Sequence, residues 1–251
     1  MDLPLFLFAV FGNLWVWRIL NFNVWLGIVL VIFSYFVIKA TEIKKFNFIL
    51  ASLFLVTLFF QWQRTDVRDL INLSNDEQRL QQQRLKEYPP VKISLGRKTL
   101  WIPVAHWFEG RHESIAFFRV KQNLFENLDL NLYFFAGHPR ERIGFREFEK
   151  FSYVLLPFFI LGIFNLLKDK RYPSFFFFVL PLVLLAFIGN NNHLGPFSVF
   201  PFIAAGIYKG SDTFYKYISG FSFKQRAVIL ILIFLVFVLS MLQIVSYSIF
   251  K

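Results

Sequence analysis

The sequence predicts a mainly α, polytopic helical membrane protein with six or seven transmembrane helices and a small α+β extracytoplasmic segment. Three observations carry this reading. Hydrophobic residues form 56% of the 251-residue chain, whereas a soluble domain is roughly 45–50% apolar even with glycine counted. These residues are gathered into long runs. The cations lie mostly in short connections beside the runs, and in alternate ones.

The runs are 4–17, 24–38, 46–62, 152–167, 174–189, 195–208 and 227–249. A perpendicular helix needs about 20 apolar residues to cross a bilayer. The last run meets this easily; the first and sixth are short, which suits a tilted, re-entrant or protein-buried helix. Domain organisation follows: N-terminal transmembrane helices in 1–62, an extracytoplasmic segment in 63–150, and C-terminal transmembrane helices in 151–251.

Orientation is read from the basic connections. Lys39, Lys44 and Lys45 follow the second run, Lys168, Lys170 and Arg171 the fourth, and Lys209, Lys216, Lys224 and Arg226 the sixth. Cytoplasmic loops are enriched in Lys and Arg, so the N-terminus is expected in the cytoplasm of a plasma-membrane protein, with 63–150 and 189–194 outside. The net charge of +11 is thereby explained by topology, and no nucleic-acid-binding motif accompanies it. The 37 phenylalanines fit a lipid-facing surface. The absence of cysteine excludes disulfides and Cys-ligated zinc. The start does not read as a signal peptide: Met1-Asp2 lacks a basic region, and no small-residue cleavage site precedes Arg18.

The extracytoplasmic segment reads as folded. Ser74 and Glu77 have capping-box spacing and open a polar helix that must stop before Pro89 and Pro90. Val91–Leu95 and Thr99–Val104 are β-prone and joined by the turn Gly96-Arg97-Lys98. Phe117, Val120, Leu124 and Leu128 recur at helical spacing in 112–128, a stripe expected to pack against the membrane bundle.

Three polar clusters are candidates for chemistry. His106, Glu109, His112 and Glu113 match neither zincin spacing, so a surface salt-bridge network is expected there and no metal. Gly137-His138-Pro139-Arg140-Glu141-Arg142 precedes the fourth run; its two arginines suit bidentate contact with a phosphate, or a place among lipid headgroups. Asn190-Asn191-Asn192-His193 forms a polar turn between the fifth and sixth runs, and no acidic residue lies inside any run.

The order of features over 124–210 is familiar. Leu-Phe-Glu-Asn-Leu-Asp-Leu-Asn-Leu-Tyr-Phe-Phe-Ala-Gly-His-Pro-Arg-Glu-Arg (124–142) precedes an apolar run with Leu-Pro-Phe-Phe-Ile-Leu-Gly (156–162). A basic loop, another run, the turn with His193, and Pro201 with Ala204-Ala205-Gly206 follow. This third of the chain resembles the C-terminal half of bacterial GT-C glycosyltransferases of the protein-mannosyltransferase and aminoarabinose-transferase type. The resemblance implies a polyprenyl-phosphate carrier bound at the outer membrane face, with Arg140, Arg142 and His193 as phosphate or headgroup contacts. The family's catalytic carboxylate lies in the first outer loop; here that loop, 17–23, holds no Asp or Glu.

The function expected is therefore a non-catalytic accessory in cell-envelope glycan assembly, without a cofactor. Its partners would be membrane lipid, the carrier and a catalytic membrane subunit, and not nucleic acid. An active transferase would draw its carboxylate from Glu109, Glu113 or Glu141. A structural envelope protein would instead bind another protein through 63–150.

Overall fold

The computed structural model describes residues 2–43, 48–67, 70–73, 75–88, 90–104, 112–135, 148–189 and 191–249. It is mainly helical. The elements are α1 (Leu3–Phe11), α2 (Leu14–Phe22), α3 (Val24–Ile43), α4 (Phe48–Arg64), α5 (Asn75–Glu87), β1 (Val91–Leu95) and β2 (Lys98–Ile102). After these come α6 (His112–Leu128), α7 (Asn131–Phe134), α8 (Leu156–Lys168), α9 (Phe176–Ile188), α10 (Phe200–Ser219) and α11 (Phe223–Ile249). Among the described residues two helices, α3 and α11, are long and apolar enough to cross a membrane, or three crossings if α1 and α2 form one broken span.

The centre of the bundle is α10. It packs most extensively on α8 and also touches α3 and α1. The reason is the absence of side chains at Gly162 on α8 and at Gly206 and Gly210 on α10. A Cβ on Gly162 would strike the Gly206 carbonyl oxygen, and one on Gly210 would strike that of Phe158. Small residues let backbones approach where large apolar side chains gain nothing over lipid. Aromatic rings fill the space around this seam: Trp15 meets Tyr133, Phe151 and Phe200 at centroid distances of 6.0, 5.7 and 5.6 Å.

Two sets of polar contacts mark opposite ends of α4, which at about 1.5 Å per residue is roughly 25 Å long. At one end the Tyr208 hydroxyl donates to the Glu42 carboxylate and accepts from the Asp2 amide, both at 3.0 Å, and Arg171 donates to the Glu42 carbonyl. Lys209 pairs with Asp169 at 3.6 Å. This end gathers the start of the chain and the C-terminal ends of α3 and α8. At the other end Gln61 accepts from the Ser198 amide at 3.0 Å, and the Asp66 amide donates to the Asn191 carbonyl.

Several expectations shift. The first run is not one helix: at Gly12-Asn13 the chain bends by 69°. Asn13 makes the break. Its side-chain oxygen caps the Val16 amide at 2.9 Å and its amide donates to the Val10 carbonyl at 2.7 Å. The expected first outer loop, 17–23, is largely the second half of α2. The sixth run begins as a buried loop and a short 3-10 turn (Phe197–Val199), and its helix starts only at Phe200. Pro201 explains this, because it fits a helix's first turn and not its interior.

In 63–150 the polar helix and the hairpin form as expected. α5 ends at Glu87, two residues before Pro89, and Ser74 lies outside the described residues. β1 and β2 are antiparallel with Leu95 opposite Lys98, so the turn is only Gly96-Arg97, with Gly96 at φ +60°. α6 does dock on the bundle, against α9. Only half of the expected stripe takes part: Val120 and Leu124 are partly buried, Phe117 is 64% exposed and Leu128 40%, and the most buried residues are Arg119, Asn123 and Asn127.

Candidate anionic-headgroup site

The end of the bundle that holds Gln61 and Ser198 is organised around Trp15 and Lys150. Trp15 begins the second residue of α2, and its indole N–H donates to the Leu194 carbonyl at 2.6 Å. Its backbone N–H donates to the Lys150 carbonyl at 3.2 Å. Lys150 is wholly buried, and its Nζ donates to the Leu132 carbonyl at 2.8 Å. One lysine thus joins α7, the entry to α8 and the loop before α10. Gly195 sits at φ +68°, and a Cβ there would come within 2.6 Å of the Lys150 Cε, so only glycine fits both the backbone and the space.

The cation is also held by rings. Lys150 Nζ lies 5.0 Å from the centroid of Phe148 and 5.9 Å from that of Trp15. Arg18 lies over the same Phe148 at 4.1 Å. One helical turn beyond Arg18, Phe22 is covered by Arg64 of α4 at 5.5 Å. The result is a ladder, Lys150–Phe148–Arg18, then Phe22–Arg64, along one end of the molecule. Such contacts contribute about 0.5–2 kcal/mol each, more where water is excluded. Among the described residues neither arginine pairs with a carboxylate, so their planar forks keep donors for a bidentate anion.

Two titratable groups border the ladder. Burial pushes the Glu149 carboxyl up to about 6, although its oxygen accepts from the Tyr153 amide, which pulls the other way. Burial, helped by the charge of Asp129, lifts the Tyr133 phenol far above its ordinary range. Tyr133 therefore stays a neutral donor, to the Asn127 carbonyl at 2.7 Å.

The expected site residues divide into two groups. Arg140, Glu141, Arg142 and Glu109 lie outside the described residues. The ends of the segment carrying Arg140 and Arg142 are nonetheless fixed, since the Phe151 amide donates to the Tyr133 carbonyl at 2.8 Å. Tyr133 and Phe151, on either side of that segment in sequence, both pack on Trp15. His193 is exposed in the turn after α9, next to the Leu194 carbonyl that Trp15 holds. Glu113 is exposed in the first turn of α6. Lys150, Arg64 and the binding side of Arg18 were missed in sequence because they stand singly, 46 to 132 positions apart by residue number. No family model, curated protein or solved structure matches this chain.

Proposed function

We propose that this chain is a multi-pass plasma-membrane protein, related to the C-terminal half of a GT-C transferase, that holds the phosphate of a polyprenyl-phosphate carrier for a catalytic membrane subunit in cell-envelope glycan assembly. The observation that carries the reading is the pair of arginines at one end of the bundle, Arg18 over Phe148 and Arg64 over Phe22, anchored beside the buried Lys150. At that end Trp15 holds the Leu194 carbonyl next to His193 and packs on Tyr133 and Phe151, which flank the Arg140–Arg142 segment in sequence. A carrier keeps its tail in lipid and its charged group at the interface, where fixed cations act with less screening than in water. The C-terminal ends of α3 and α8 share the opposite end with the start of the chain, which supports a cytoplasmic N-terminus and an outer ladder.

Titration of the reconstituted protein with a short-chain polyprenyl phosphate tests this. The Arg18→Gln/Arg64→Gln and Arg140→Gln/Arg142→Gln pairs are each expected to weaken binding at least about tenfold, or about 1.4 kcal/mol. Unchanged affinity in both pairs, or no binding by the wild type, removes the reading. One observation favours the active-transferase alternative: Glu149, beside the ladder, is a carboxylate raised to about 6, near the range of a general base. Sugar transfer by the purified chain alone, lost in Glu149→Gln with carrier affinity kept, would replace the accessory role.

A further inference from the structure

Helix α6 is amphipathic in the inverse sense. The face turned to the protein is polar: Arg119, Asn123 and Asn127 follow one another at intervals of four and are buried. Arg119 donates to the Asn72 carbonyl at 2.9 Å and to Glu77 at 2.8 Å, tying α5 to α6. Asn123 donates to the Ala186 carbonyl of α9 at 3.1 Å. The face turned away from the protein carries three aromatic rings, with Phe117 64% exposed, Phe118 51% and Phe125 60%, and the exposed Lys121 lies between them. In water the polar face belongs outside and the aromatic face inside. The reverse arrangement is stable where the outside is itself apolar.

We propose that α6 lies in the bilayer interface, with Phe117, Phe118 and Phe125 inserted among the lipid chains and Lys121 at the headgroups. The occupant of this face is lipid for three reasons. It adjoins an apolar surface of a bundle helix, since α6 packs along α9, whose Val179, Val183 and Phe187 are exposed at intervals of four. The hydrogen bond from Asn123 to the Ala186 carbonyl fixes α6 beside that helix. Lys121 lies 6.0 Å from the ring centre of Phe125, so a cation stands beside the exposed rings where it can meet anionic headgroups. The outer segment is then not a water-borne domain on a stalk: α6 holds it flat on the membrane, and only the hairpin stands clear.

The cysteine-free chain makes the test direct. Single cysteines replacing Phe118 or Phe125 are labelled with a nitroxide in vesicles of phosphatidylcholine and phosphatidylglycerol. Ser94→Cys on the exposed hairpin is the aqueous reference, and Leu235→Cys on α11 the lipid reference. Collision with oxygen is compared with collision with a water-soluble nickel chelate. The expected oxygen-to-nickel ratio at 118 and 125 is at least about threefold that at 94 and close to that at 235. A ratio equal to that at 94 overturns the proposal, as does protection from both reagents, which would mean a protein partner or second copy covers the face. Phe117→Cys reads the same surface if either variant fails to reconstitute.

Discussion

Helices α10 and α11 are consecutive in the chain and opposite in surroundings. α10 is buried from Phe200 to Tyr208 with no exposed side, although it carries Lys209, Asp212 and Lys216 and, at 20 residues, is long enough but not apolar enough for a membrane span. α11 passes that test easily, yet only 6% of its apolar window is buried in the molecule. It is attached by Phe237 on Phe8, with ring centres 5.1 Å apart, and by a hydrogen bond between Ser240 and Ser152. Hydropathy measures compatibility with lipid, and a leucine gains little by exchanging lipid for protein. Helices join inside a membrane through close backbones and shared polar groups. Apolar content therefore finds the helix at the edge, and glycine spacing finds the helix at the centre.

Four substitutions probe the bundle, one on each of these two helices and two at the Trp15–Lys150 end. Gly210→Val on α10 places a branched side chain against the Phe158 carbonyl, part of a backbone that cannot step aside. It is expected to cost about 3 kcal/mol or more and to abolish a cooperative thermal transition in detergent. Lys150→Met removes the donor to the buried Leu132 carbonyl; the loss expected is about 1–3 kcal/mol, read as a lower denaturation midpoint. Glu149→Gln acts through pH. Its folded-state value is raised from 4.5 to about 6, so the contribution of this group to stability is fully present below about 4.5 and is lost as pH rises through about 6. The glutamine variant should lack this fall. The group is only half-buried, so the increment is below about 1 kcal/mol after screening. Leu235→Ala on the exposed face of α11 should change stability by no more than about 0.5 kcal/mol. A large loss there would mean that α11 is held by packing and would undo the contrast with α10.

How much of this could be read in the sequence depends on where the decisive partner lies. α5 and the hairpin are local matters of caps, prolines and a glycine turn, and they form within a residue or two of expectation. α11 needs only its own composition. The break at Asn13 needed recognition of one polar residue inside an apolar run, since its cap on Val16 and its bond to Val10 are both local. The face of α6 was only half legible, because periodicity groups the apolar positions Val120 and Leu124 and gives no sign that Arg119, Asn123 and Asn127 are the most buried. The ladder was out of reach: Arg18, Arg64 and Lys150 come together only through α2, α4 and the entry to α8. Gly206 and Gly210, four apart on α10, were legible in principle as a close-packing motif.

The central claim is that the two ends of the bundle face different compartments, with the ladder and 63–150 outside. Single cysteines in place of Gln82 on α5 and Gln225 at the start of α11, both exposed, test it most directly. An impermeant maleimide added to intact cells should label position 82 and leave position 225 untouched until the membrane is opened. Labelling at 225 and not at 82 would reverse the orientation, put the ladder in the cytoplasm, and contradict the account.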